Sequence, residues 1–286
     1  KGISIYTSEN LVDWQWKSHI PGFYECPDLV KLEVTNHPGE FKWILFDGDG
    51  SYLIGAFDGE VFTPESAKMK SDYGSNYYAT QTWSNISKED GRTIQIAWMR
   101  GGEFPGMPFK GQMSFPCEIS LTQFSFGYKL IRKPVKEIEK LHGKHQVWES
   151  KILIPGINEN KTKSVNGDCF HIIAELDLKT SDNFGFIVRH SKKVPGTEIL
   201  YNVKRGTLSV LNSTVPVVPV NNKISLEILL DRASIEVFVN GGQTVISNCF
   251  APTEGAEDVV LYTNGGELGV DKLDVYEMES IWRKEK

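Results

Sequence analysis

The sequence predicts an all-β protein. Short segments rich in β-branched and aromatic residues run almost from end to end, Gly, Asp and Asn punctuate them, and only one stretch carries a helical pattern. Residues 3–7, 43–46, 52–57 and 93–99 are clear strand candidates. Between residues 54–57 and 60–62 stands Asp58-Gly59, a dipeptide that supplies the positive φ angles of a hairpin turn. Asp47-Gly48-Asp49-Gly50 is of the same kind; it lacks the later ligands of a calcium loop and reads as a turn. The helical stretch is residues 134–141, where Pro134 suits a first turn and Val135, Ile138 and Leu141 share a face at spacing three. Beyond it, strands 225–230, 234–239 and 243–247 are joined by Asp231-Arg232-Ala233 and Asn240-Gly241-Gly242. Alternation puts Ile235, Val237 and Val239 on one face, as in a sheet with one side in a core, so this second part reads as a two-sheet sandwich. The first ~130 residues show no crisp internal period, which leaves barrel, sandwich and propeller open.

With 286 residues the chain exceeds one ordinary domain, and two cores are expected. A formal charge of −6 gives no attraction toward nucleic acid or an anionic membrane surface, so a neutral ligand is the simpler expectation. No apolar run is long enough to span a membrane. Cys26, Cys117, Cys169 and Cys249 form no C-x-x-C pair and read as free, mostly buried thiols, and the histidines show no metal-ligand spacing. No G-x-S-x-G elbow, phosphate loop or helix-opening G-x-G-x-x-G occurs. Asn85-Ile86-Ser87, Asn160-Lys161-Thr162 and Asn212-Ser213-Thr214 fit the glycosylation acceptor pattern, which matters only in a secreted eukaryotic protein.

Four phrases carry a more specific signal. Tyr24-Glu25-Cys26-Pro27-Asp28 is followed in order by Tyr77-Tyr78-Ala79-Thr80-Gln81-Thr82-Trp83, Ile94-Gln95-Ile96-Ala97-Trp98-Met99 and Gly111-Gln112-Met113-Ser114-Phe115-Pro116. Together they resemble the fructan-cleaving glycoside hydrolases of family 32, which include invertases, levanases and inulinases. Residues 54–62, 133–138 and 231–240 extend the resemblance. It implies a five-bladed β-propeller bearing the active site, followed by a β-sandwich. At ~45 residues per blade the first part holds only about two to three blades. The expected organisation is therefore a partial propeller over residues 1–132, a connector helix over 133–144 and a β-sandwich over 145–286. An open propeller exposes sheet edges, so a missing N-terminal segment or a second chain is expected to complete it.

The resemblance also implies chemistry. Cleaving a glycosidic bond takes a proton donor and a second carboxylate, set ~5–5.5 Å apart in the retaining mechanism. In the family phrase Glu-Cys-Pro-Asp the glutamate is the general acid and base, which assigns that role to Glu25. Burial and a neighbouring negative charge would keep such a donor protonated. Cys26 is then expected to shape the pocket, Tyr78 to reach the carboxylates, Trp98 to wall the sugar ring, and Asp28 and Gln81 to buttress the site. The alternative for Glu25 is a plain solvated turn, and for Tyr78 and Trp98 sheet packing.

Two departures matter. The family's nucleophile lies in an Asn-Asp-Pro-Asn-Gly-like phrase, and a further aspartate in an Arg-Asp-Pro phrase; neither phrase occurs here. Residues 2–8 resemble the strand following those acids, so the chain is expected to lack the family's N-terminal part. Cys117 stands where the family pattern usually has Arg, with loss of a rim ion pair as the expected effect. The reading is a retaining exo-β-fructosidase acting on fructan, fructo-oligosaccharide or sucrose, levanase- or inulinase-like, with no metal or organic cofactor and a secreted or periplasmic address. The alternatives are a non-catalytic carbohydrate-binding or structural remnant, and a fructosyltransferase.

Overall fold

The computed structural model describes residues 1–155, 167–251, 255 and 257–281; the acceptor pattern at Asn160 lies outside them. The described residues form strands almost throughout, as the β-branched segments require. β1 (Gly2–Thr7) and β2 (Gln15–Pro21) make an antiparallel hairpin. β3 (Asp28–Glu33), β4 (Phe41–Phe46), β5 (Ser51–Phe57) and β6 (Phe62–Pro64) follow as a meander, with the short β7 (Met69–Lys70) sharing the free side of β5. The Asp58-Gly59 turn is present: Gly59 has φ +105°, and Asp58 accepts hydrogen bonds from the N–H groups of Glu60 and Val61. A second meander runs β8 (Tyr78–Thr82), β9 (Thr93–Trp98), β10 (Cys117–Phe124), β11 (Gly127–Pro134). The two meanders share one core, in which Leu32, Ile44 and Tyr52 meet Ile119, Leu121 and Leu130.

Among the described residues no sheet closes into a propeller or a barrel, which corrects the expected partial propeller of two to three blades. β3 pairs only with β4, β8 only with β9, and β11 only with β10, so each meander is an open sheet with free end strands. Strand-forming segments dictate local ladders, whereas closure needs long-range edge pairing that the pattern does not encode.

A 3-10 helix over Lys136–Leu141 leads out of β11. Three residues per turn place Val135, Ile138 and Leu141 in line, so the observed spacing fits this tighter helix better than an α-helix. The second half contains β12 (His142–Leu153), β13 (Phe170–Asp177), β14 (Asn183–His190), β15 (Thr197–Asn202), β16 (Thr207–Val210), β17 (Ser213–Pro216), β18 (Lys223–Leu230), β19 (Ser234–Val239), β20 (Thr244–Cys249), β21 (Asp258–Asn264) and β22 (Leu268–Met278). They form a six-stranded sheet, β12-β22-β13-β18-β19-β20, and a five-stranded sheet, β17-β16-β15-β14-β21. The inward residues of both sheets build one core, from Phe170 and Ile172 to Phe184, Phe186 and Leu261.

β19 departs from the alternation expected of it, because all six of its residues are buried. Ile235, Val237 and Val239 face the core between the sheets. Glu236 and Phe238 face the first half, where Phe238 packs with Cys117, Ile138, Leu229 and Val245. Cys117 is thus fully buried rather than at a rim, and its Sγ lies 3.9 Å from Nη2 of Arg132. Only Cys117 of the four free thiols is buried; the other three are half-buried.

A buried polar lock crosses this contact. Arg132 donates from Nη1 to Asp72 Oδ2 at 2.9 Å and stacks over the Tyr77 ring at 4.2 Å. Asp72 also accepts from the N–H of Gly74 (2.7 Å), the N–H of Ser247 (3.0 Å) and the hydroxyl of Ser247 (2.6 Å). Gly74 must be glycine: a Cβ there would stand 1.9 Å from the carbonyl oxygen of Ser247. Glu236 accepts from the N–H of Phe115 at 2.8 Å; burial, with some relief from that bond, pushes its pKa up to about 8.

Candidate active site

Glu25 sits in the irregular segment between β2 and β3. Gly22 and Cys26 both take left-handed backbone angles, φ +83° and +50°, so the chain turns sharply on either side of it. For a cysteine that conformation is strained, and such strain persists only where the surroundings enforce it. Here they do. The carboxylate of Asp47, buried at the end of β4, accepts N–H groups from Tyr24 (3.1 Å), Glu25 (3.3 Å) and Gly48 (2.9 Å). The N–H of Gly48 in turn donates to the carbonyl of Glu25 at 2.8 Å. Lys68 donates to the other Asp47 oxygen at 2.6 Å. Burial alone would raise the Asp47 pKa, but the Lys68 ammonium and the three N–H groups outweigh it and hold the carboxyl below its ordinary value.

β8 is stitched to this loop from another sheet. Asp28 accepts the N–H of Thr82 at 2.6 Å, and Gln81 Nε2 donates to the carbonyl of Cys26 at 3.2 Å. A bulge between Tyr78 and Gln81, with Ala79 at φ +48° and its N–H on the carbonyl of Gly48 at 2.6 Å, re-aims the start of the strand. The phenol of Tyr78 then donates to Oε1 of Glu25. That bond, followed by burial and the Glu25 charge, pushes the Tyr78 pKa up to about 12, against an opposing pull from Arg100. The Arg100 guanidinium covers the Tyr78 ring at 4.5 Å from its centroid.

Trp98 is the direct cross-strand partner of Tyr78, so the two side chains share a face of the sheet. Trp98 is 42% exposed, so part of its side chain stays open to solvent beside Tyr78. The structure thus gathers Glu25, Cys26, Asp28, Tyr78, Gln81 and Trp98 around one loop. Asp28 and Gln81 hold backbone, Tyr78 touches the carboxylate, and Trp98 borders the same surface. Cys26 contributes its turn and its carbonyl.

Glu25 itself is exposed, which corrects the expectation of a donor enclosed by protein. Asp28 and Asp47 are both engaged by N–H groups, an arrangement suited to positioning rather than to attack on carbon. Sequence reasoning missed Asp47 and Lys68, whose side chains reach the loop from more than twenty residues away. Among the described residues no cluster of His, Cys, Asp and Glu is arranged to hold a metal.

Comparison with known proteins identifies what the whole chain is similar to. The levanase of Bacillus subtilis is 31% identical over 322 aligned positions, covering 98% of this chain and 47% of the levanase. A levanase of Bacillus sp. strain L7 is 29% identical, with 99% of this chain and 35% of its own length covered. The chain therefore spans about half or less of these two relatives. The crystal structure of exo-inulinase from Aspergillus awamori superposes with a TM-score of 0.85 at 24% identity, over 98% of this chain and 62% of the inulinase, a likeness of fold. The model for the N-terminal domain of glycosyl hydrolases family 32 matches residues 1–134, and that for the family's C-terminal region matches residues 137–277. The first of these matches corrects the expectation that the family's N-terminal part is lacking. With both of its regions matched nearly end to end, the chain belongs to glycosyl hydrolase family 32.

Proposed function

We propose that the protein hydrolyses β-fructofuranosyl linkages in fructans or sucrose, with Glu25 as the group that protonates the departing oxygen. The observation that carries this reading is the phenol of Tyr78 hydrogen-bonded to Glu25 beside an exposed Trp98, on a chain of family 32. The phenol donates to one carboxyl oxygen and leaves the other to face a ligand. The indole offers a flat apolar face to the C–H side of a furanose ring. A sugar seated there would also strip water from Glu25, supplying the low-dielectric surroundings that the open loop lacks. In the retaining route the same residue returns as base for the attacking water, while a second carboxylate carries the fructosyl group. That second carboxylate is assigned to no residue of this sequence.

Levan is the proposed first substrate, on the strength of two relatives named levanase. The test is fructose release from levan, inulin and sucrose by the protein as its host makes it, beside its Glu25→Gln variant. General-acid catalysis contributes about 10²–10⁴-fold, so the variant is expected to lose turnover by that factor while still binding fructan. Wild-type turnover in the Glu25→Gln variant would remove Glu25 from the mechanism. A product mixture dominated by longer fructans at high sucrose would instead indicate transfer.

A further inference from the structure

We infer that Asp47 and Lys68 are a positioning pair that fixes the carboxyl of Glu25 in its working direction, an inference that rests on Glu25 being the proton donor. Every polar contact the structure gives this pair falls on the acid-bearing loop or on the turn beside it. Asp47 Oδ1 gathers the N–H groups of Tyr24 and Glu25, at 3.1 and 3.3 Å, and of Gly48 at 2.9 Å. Lys68 Nζ bridges Asp47 Oδ2 at 2.6 Å and the carbonyl of Gly22 at 2.9 Å, and lies 4.5 Å from the centroid of Phe23. The pair therefore grips the segment at Gly22 and again at Glu25.

The segment has no ladder of its own, so these bonds set its backbone torsions. Two consecutive N–H groups aimed at one oxygen orient the Glu25 peptide, and with it the direction in which its side chain leaves toward Tyr78. Gly48 closes the opposite side: a Cβ there would stand 3.3 Å from Cγ of Glu25. The charges also matter as a pair. Asp47 alone would place a buried anion next to the acid, and Lys68 neutralises it, so the loop is held without an added negative field. Neither residue touches a substrate position; both act through Glu25.

The test uses two substrates that differ in their need for a proton. Cleavage of sucrose expels glucose through a poorly leaving sugar oxygen that requires the acid, whereas p-nitrophenyl β-fructofuranoside carries a leaving group that departs with little help. A misplacement of about 1 Å costs on the order of 10²-fold, so Asp47→Ala is expected to lower kcat on sucrose by ~10–100-fold and on the aryl fructoside by no more than ~3-fold. A merely structural role would lower both in parallel, and that result overturns the proposal. Glu25→Gln, measured alongside, must show the same dependence on leaving group. If it does not, the assignment of Glu25 fails; if it does and Asp47→Ala does not, only the positioning role fails.

The double variant Asp47→Asn with Lys68→Met keeps the Oδ1 acceptor and removes both charges, and it is expected to recover most of the sucrose activity. No recovery overturns the proposal. Should Asp47→Ala fail to fold, Lys68→Met takes its place and must show the same split between substrates. Hydrogen exchange supplies a readout independent of turnover. Loss of one N–H bond accelerates the Glu25 amide by about tenfold while β9 and β10 stay protected. An unchanged Glu25 amide overturns the proposal.

Discussion

Replacing Asp72 by alanine is expected to loosen the contact between the two halves more than any surface change. The carboxylate takes four hydrogen bonds: one from Arg132, one from the N–H of Gly74, and two from Ser247. Arg132, 1% exposed, would keep only the carbonyl of Ser71 at 3.3 Å, the Cys117 sulfur at 3.9 Å and the ring of Tyr77. Breaking a buried ion pair by removing one partner costs about 3–5 kcal/mol, because the surviving charge is stranded. For a chain of 286 residues that corresponds to a fall in melting temperature of about 5–8 °C. Scanning calorimetry of wild type and Asp72→Ala reads it directly. The double variant Asp72→Leu with Arg132→Met removes both charges and should recover part of the loss, the N–H groups of Gly74 and Ser247 remaining unpaired. A fall below about 1 °C for Asp72→Ala, or a double variant less stable than the single, would refute the reasoning.

Two further outcomes follow from the same contact. Gly74→Ala forces a Cβ into the Ser247 carbonyl, and a loss of about 1–3 kcal/mol in denaturant unfolding is expected; an unchanged midpoint would mean that the strands separate freely there. Glu236 has a folded pKa raised to about 8 from 4.5, so the native state holds its proton more tightly than the unfolded chain. Its contribution is therefore full below about pH 4.5 and is lost as pH climbs toward 8, and Glu236→Gln should flatten that decline in a series of melts across the window.

Much of this molecule is visible in its residues because strands and turns are local. The segments around Trp43, Tyr52 and Thr93 form β4, β5 and β9, and Asp58-Gly59 makes its turn. The helical face at Val135, Ile138 and Leu141 is real, although wound as a 3-10 helix. What the pattern could not convey is what lies across space. Glu236, flanked by Ile235 and Val237, has the look of an outward residue on a half-buried strand; only the packing of a second body against that face buries it. Arg132, after Leu130 and Ile131, is a second case: its burial depends on Asp72, which lies far from it in sequence. The propeller came from likeness rather than from period, and open edges at β3, β8 and β11 replaced it. The short phrases named Glu25, Tyr78 and Trp98, which the structure brings side by side, but Asp47 presents itself in sequence as a turn former. It is one, and its second task depends on a loop more than twenty residues upstream.

The seam around β19 sets where this protein can bend. With Phe238 plugged into the neighbouring body, Arg132 backbone bonded to Gly242, and glycine against carbonyl at Gly74, the two parts travel together. In the stretch between Trp98 and Met113 the ends are pinned by the bond from the N–H of Met99 to the carbonyl of Gln112, and Phe109 near its tip is exposed. Insertions or exchanges in that tip are expected to leave the frame beneath undisturbed.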